Sequence, residues 1–206
     1  LFENLGDGRF RDRTPTEGDW PRPFAARNVS CLDFDQDGRL DLILGDGSYR
    51  HWRRNTGQLV ILRNRGNWSF TNVSDKLGFP KKGTVAMGFA IGDVNDDGRP
   101  DIFVGDSNRL FVSTEDGTYR SCCEDVFRKP ERGKIADGHT CGADFGDLDG
   151  DGRLELVTTV HGQPASLQIY RNRAIKGGKP DFIEITKACG LDLFLPRRGV
   201  TGVKVK

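Results

Sequence analysis

The nonapeptide DFDQDGRLD, starting at Asp33, recurs as DVNDDGRPD from Asp93 and as DLDGDGRLE from Asp147. All three fit D-x-[DN]-x-D-G-x-x-[DE]. Several carboxylates this close together repel one another unless a cation stands among them. The spacing of the copies, roughly 50 to 60 residues, is that of one structural repeat in an array such as a propeller. A chain with this pattern is therefore constrained to a repeat architecture whose unit carries one acidic bend.

Aligning the three bends brings the rest of the chain into phase. Each follows an apolar-rich run (NVSCLDF, AMGFAIGDV, TCGADFGDL) and precedes a strand-like one (DLILG, DIFVG, ELVTT). A third run comes next (QLVILRN, RLFVSTE, SLQIYRN), then a glycine-containing turn and a fourth run (WSFTNVS, TYRSCCE, DFIEIT). Phe182, Glu184 and Thr186 alternate with Ile183 and Ile185, the period of a strand. Phe10, Phe70, Tyr119 and Phe182 take one equivalent position in the fourth runs. The 27 glycines, and the lack of any amphipathic helical stretch, favour short strands joined by many turns.

Four strands per unit predict an all-β fold: a β-propeller of four-stranded antiparallel blades. Blades are expected over 28–75, 85–127 and 139–187, with a partial blade over 1–14 and the first strand of another over 199–206. LFENLGDGRFRDRT matches only third and fourth strands, and RRGVTGVKVK only a first strand. Propellers close with about 4–8 blades, so the chain reads as a partial propeller from a longer protein.

The bends have the chemistry of a calcium site. Calcium takes about six to eight oxygen ligands, so several carboxylates must converge on it. Positions 1, 3 and 5 turn alternate side chains inward, and glycine at position 6 permits a bend that a Cβ resists. Position 7 supplies a backbone carbonyl, and position 9 closes the shell. The predicted ligands are Asp33, Asp35, Asp37, Arg39 and Asp41 in the first bend and Asp93, Asn95, Asp97, Arg99 and Asp101 in the second. In the third they are Asp147, Asp149, Asp151, Arg153 and Glu155, so about three Ca²⁺ sites are expected. An EF-hand starts similarly but needs a bidentate Glu at position 12, where this chain has Leu44, Val104 and Thr158.

These nine-residue loops, with glycine-rich runs before them and N-x-G-D-G-x-F-x-D after a third strand, resemble FG-GAP/VCBS repeats. ENLGDGRFRDRT and KGTVAMGFAIGDVNDDGRPDIFVGD are most similar to the ASPIC/UnbV group. The resemblance covers essentially the whole chain. It implies the calcium-binding propeller of integrin α-chains and secreted bacterial proteins, in an extracellular or secreted setting. The literal Phe-Gly…Gly-Ala-Pro signature is degenerate here, so integrin ligand recognition is not carried over.

Other features set limits. A formal net charge of +1 gives no reason to expect nucleic-acid binding. No run of about 18 apolar residues suits a membrane span. No G-x-S-x-G, H-E-x-x-H or P-loop occurs, and His51, His139 and His161 read as far apart, so a non-catalytic module is expected. The expected role is an adhesion or recognition scaffold; the alternatives are a lectin-like propeller or an accessory module of a secreted enzyme. The segments joining second to third strands, and one blade to the next, are basic and hold Arg50, Arg53, Arg54, Lys81 and Lys82 among others, with Trp52 and Trp20. They predict that a protein or acidic glycan meets the face opposite the calcium loops. Asn28, Asn67 and Asn72 begin glycosylation sequons. Cys31, Cys122 and Cys189 fall at apolar repeat positions and read as small buried hydrophobes. Disulfide pairing among Cys122, Cys123 and Cys141, or a redox-active Cys122–Cys123 pair, stays open beside that.

Overall fold

The computed structural model describes residues 1–15, 26–47, 57–123, 126–127, 136–163 and 166–191. Fourteen strands form three four-stranded antiparallel sheets and one two-stranded ribbon, with no α-helix among the described residues. The ribbon pairs β1 (Phe2–Gly6) with β2 (Arg9–Asp12). The first full blade holds β3 (Ala26–Leu32), β4 (Asp41–Asp46), β5 (Leu59–Asn64) and β6 (Phe70–Asn72), paired in that order. The second holds β7 (Ala86–Gly92), β8 (Asp101–Asp106), β9 (Arg109–Ser113) and β10 (Tyr119–Cys122). The third holds β11 (Ala136–Gly146), β12 (Glu155–Gln163), β13 (Ser166–Asn172) and β14 (Phe182–Glu184). These are the up-and-down blades of a partial propeller. The strand expected over 199–206 lies outside the described residues.

The near-continuous apolar runs of the second and third strands in the first two blades arise because both faces of those sheets are covered. Alternate residues of a strand point to opposite faces. Ile43, Leu59 and Ile61 of the first blade therefore pack with Ala86, Phe89, Ile102, Val104 and Phe111 of the second. On the first blade's other face Leu42, Leu44, Val60 and Leu62 form a separate cluster with Leu1. The second blade turns Ala90, Phe103 and Leu110 toward Leu156, Tyr170 and Phe182 of the third, and Phe127 joins that seam. Backbones come close there too. A Cβ on Gly105 in β8 would lie 2.8 Å from the Thr140 carbonyl oxygen and 3.0 Å from that of Gly88.

Equivalent positions do not share one environment. Tyr119 and Phe182 are buried, whereas Phe10 is 62% exposed. Cys31 and Cys189 are exposed, not buried as their repeat positions suggest. Their counterparts Ile91, Phe145 and Leu77 pack into seams between full blades. Cys31 and Cys189 face the outer sides of the first and third blades, where no further full blade stands among the described residues. Position in the repeat sets direction, and the neighbouring sheet sets burial. His139 and His161 are register partners across β11 and β12, so two of the histidines are not far apart in space.

Candidate metal centres

Each acidic bend connects the first two strands of a blade, between β3 and β4, β7 and β8, and β11 and β12. Gly38, Gly98 and Gly152 take φ of +86°, +86° and +85°, as a glycine at position 6 requires. Position 4 is left-handed as well, at Gln36 (+57°), Asp96 (+53°) and Gly150 (+78°). The sequence reading gave position 4 no role; Gly150 was the one available signal. The two bends aim successive backbone N–H groups at the first aspartate. Asp33 accepts from Asp37 at 3.0 Å and Gly38 at 2.9 Å. Asp93 accepts from Asp97 at 3.0 Å and Gly98 at 2.7 Å. Asp147 accepts from Asp151 at 3.1 Å and Gly152 at 3.0 Å. Each first aspartate shapes its own loop.

The ninth residues Asp41, Asp101 and Glu155 are fully or almost fully buried. In each, one carboxylate oxygen accepts the N–H of position 2 and the other accepts an N–H at the end of the third strand. Asp41 takes Phe34 at 3.2 Å and Asn64 at 2.7 Å. Asp101 takes Val94 at 3.0 Å and Ser113 at 2.8 Å. Glu155 takes Leu148 at 3.0 Å and Asn172 at 3.4 Å. The ninth carboxylate thus fastens the loop to the third strand, beyond its expected place in a ligand shell. Burial pushes the Asp101 carboxyl up to about 6, against the pull of its two N–H donors and with the help of Asp97 and Asp93. Asp41 is raised for the same reason, burial first.

Carboxylates converge in the first and third loops, the third trio including Glu155 and leaving out Asp151. One oxygen from each of Asp33, Asp35 and Asp37 lies within 4.8 Å of the others, and likewise for Asp147, Asp149 and Glu155. The second loop, with Asn95 at position 3, brings together no such carboxylate trio among the described residues. Asp35 Oδ1 and Asn95 Oδ1, both at position 3, are buried and have no hydrogen-bond partner. A buried acceptor without a donor is costly, and an oxygen-seeking cation would satisfy it. The Arg39, Arg99 and Arg153 side chains each fold back onto the position-5 aspartate, Arg99 on Asp97 at 2.7 Å. The sequence reading assigned these residues only a carbonyl.

A second set of arginines was not foreseen. Arg63 in β5 reaches Asp35 at 2.5 Å and Asp37 at 3.1 Å, and Arg171 in β13 pairs with Asp149. The same strand position in the second blade, just before Ser113, is Val112. Where position 3 is aspartate the third strand carries an arginine, and where it is Asn95 the strand carries valine. Cation and acid are matched loop by loop. Burial raises the Asp37 carboxyl, but Arg63 and Arg39 outweigh it and hold it below the ordinary carboxylate value. The Arg171 hydrogen bond lowers Asp149.

The bends also touch neighbouring blades. Gln36 donates to the Gly98 carbonyl at 3.0 Å, and Asn172 donates to Val94 O at 2.7 Å. Lys176, in the turn after β13, pairs with Asp96 at 2.9 Å, and Gly177 N–H donates to Asn95 O at 2.6 Å. The acidic bends and the third-to-fourth-strand turns therefore share one face. Of the basic residues predicted for the opposite face, Lys81 and Lys82 are described, and Lys81 pairs with Asp75 at 2.8 Å. Arg50, Arg53, Arg54, Trp52 and Trp20 lie outside the described residues.

Stacked four-stranded blades, each with a glycine-bent acidic hairpin, define a class of repeat propeller, and comparison with known families agrees. The description "FG-GAP-like repeat" matches residues 45–104 and 93–158, which together cover more than half of the chain. The chain belongs to the FG-GAP-like repeat family. Each match starts in or before one blade and ends in the next, so the repeat as matched is offset from the blade. The chain is also similar to "Cartilage acidic protein 1" of Xenopus tropicalis, 25% identical over 195 residues, and to that of Homo sapiens, 27% identical over 184 residues. Those alignments take in 90% and 83% of this chain. They span 28% and 26% of the relatives, so the chain is about a quarter of their length. No described helix is long and apolar enough to cross a membrane.

Proposed function

We propose that the three acidic bends hold calcium and that the chain is a non-catalytic propeller module working outside the cell as an adhesion or recognition scaffold. The observation that carries the calcium reading is the pair of buried, partnerless position-3 oxygens, Asp35 Oδ1 and Asn95 Oδ1, in a bend that recurs with the same internal hydrogen bonds. Carboxylates, an amide oxygen and carbonyls form a hard-oxygen donor set, which suits calcium better than zinc or copper. Positions 1, 3, 5 and 9 with the carbonyls of Arg39, Arg99 and Arg153 would hold it. The ninth carboxylate uses one lone pair per oxygen on a backbone N–H and keeps others for a cation. Bound there, calcium would neutralise the clustered charge. The extracellular assignment follows the similarity to cartilage acidic proteins.

Extracellular modules typically hold calcium at about 10⁻⁴–10⁻³ M. About 1 mM free calcium would then add roughly 0.4–1.4 kcal/mol per site and raise the unfolding temperature by a few degrees over chelated protein. Differential scanning and titration calorimetry give the readout. No shift and no heat would sink the calcium reading.

The matched arginines predict a difference between sites. Arg63 competes with a cation for Asp35 and Asp37, so Arg63→Val, which copies Val112, should raise calcium affinity at the first loop about tenfold. The metal-free protein should lose stability at the same time. Titration calorimetry showing unchanged or weaker binding would rule out competition.

The basic segments opposite the bends are the proposed surface for an acidic glycan or protein. Reversing charge at Arg53 and Arg54 should lower retention on a heparin column; unaltered retention would clear that segment of the role.

A further inference from the structure

Cys122 ends β10 and Cys123 follows it. Neighbouring side chains along a strand point to opposite faces, so adjacent cysteines ordinarily hold their sulfurs apart. Here the two Sγ atoms lie 3.1 Å from each other. The backbone explains it: Cys123 takes φ of +57°, the left-handed region, which swings its side chain round beside that of Cys122. Val126 N–H donates to the Cys123 carbonyl at 3.0 Å and secures the turn. Cys123 Sγ donates to the Pro180 carbonyl at 3.2 Å, so the pair sits between the second and third blades. Both residues are half-buried and pack against the seam that contains Phe103, Phe127 and Phe182.

We propose that Cys122 and Cys123 form a covalent modification site, joining Sγ to Sγ in a vicinal disulfide whose ring contains their shared peptide bond, when a low-molecular-weight disulfide is present. Cys123 is the attacking sulfur. The hydrogen bond from Cys122 and the charge of Lys179 lower its thiol against the effect of burial, while Cys122 is raised by the same hydrogen bond and by burial. The Cys123 thiolate displaces one thiolate from the small disulfide and forms a mixed disulfide. Cys122 then attacks Cys123 Sγ, its proton leaves on the departing thiol, and the second small thiol is released. Two protein thiols are oxidised by two electrons and one disulfide is reduced to two thiols. Adjacent α-carbons lie about 3.8 Å apart, closer than the roughly 4.4–6.8 Å that a disulfide ordinarily spans. The ring is therefore strained, and mild reductant should open it.

The test equilibrates the whole chain with oxidised glutathione, blocks remaining thiols with N-ethylmaleimide, and analyses the tryptic peptide 121–128 by mass spectrometry. The expected peptide has lost two hydrogens and carries neither maleimide nor glutathione, while the exposed Cys31 and Cys189 carry one or the other; mild reduction before labelling restores maleimide on both cysteines of 121–128. A Cys31→Ser, Cys141→Ser, Cys189→Ser variant should give the same ring. Maleimide on both Cys122 and Cys123 after oxidation would overturn the proposal. So would a stable link from either to glutathione, to Cys141 or to a second chain.

Discussion

Replacing Phe127 with alanine should cost about 3–5 kcal/mol, the range for emptying a buried aromatic site. The ring is 1% exposed. Its centroid stands 5.2 Å from Phe103, 5.1 Å from Tyr170 and 5.5 Å from Phe182, each tilted or edge-on. Phe103 belongs to the second blade and Tyr170 and Phe182 to the third, so one side chain from the connecting segment fills the seam between two sheets. Aromatic contacts at such distances add to the area term. Urea unfolding followed by circular dichroism gives the measurement. A loss below about 1 kcal/mol would mean that the seam closes without this ring.

Two substitutions in the second bend should separate shape from metal. Asp101→Ala leaves the buried N–H groups of Val94 and Ser113 without acceptors, and about 2–4 kcal/mol should be lost even in chelator. Asp97→Ala removes a partner mainly of Arg99 and Asn95, so it should change metal-free stability by no more than about 1 kcal/mol and abolish the calcium response of that loop. Equal losses from both in chelator would contradict the division of labour between positions 5 and 9. Asp101 also imposes a pH dependence. Its folded value of about 6 lies above the ordinary 3.8. The folded state therefore holds a proton that the unfolded state has released. That contribution is complete below 3.8 and is lost as pH rises through about 6. Metal-free wild-type protein should weaken across this window, and Asp101→Asn, which does not titrate, should lack this component.

The strands were legible because their pattern is local. DLILG and DIFVG read as strand-like runs, and they form β4 and β8, buried along their whole length. The position-6 glycines were legible for the same reason, since a sharp bend needs them. Most of the site contacts that escaped depend on residues distant in sequence. The hold of Asp101 on Ser113, and of Arg63 on Asp35, reaches across two successive strands and their connection. Phe127 lies in no strand, so no period flagged it. The meeting of the Cys122 and Cys123 sulfurs depends on one backbone angle that alternation along a strand would not suggest.

The middle sheet is clamped on both broad sides, by Ile43 and Ile61 from one neighbour and by Leu156 and Tyr170 from the other. In a stack whose units touch only their neighbours, cohesion is a sum over junctions rather than a property of any unit. Damage in the middle sheet therefore opens both of these junctions together. Closure into a ring, where every sheet has two neighbours, would give each unit the same pair of junctions and leave no outer side uncovered.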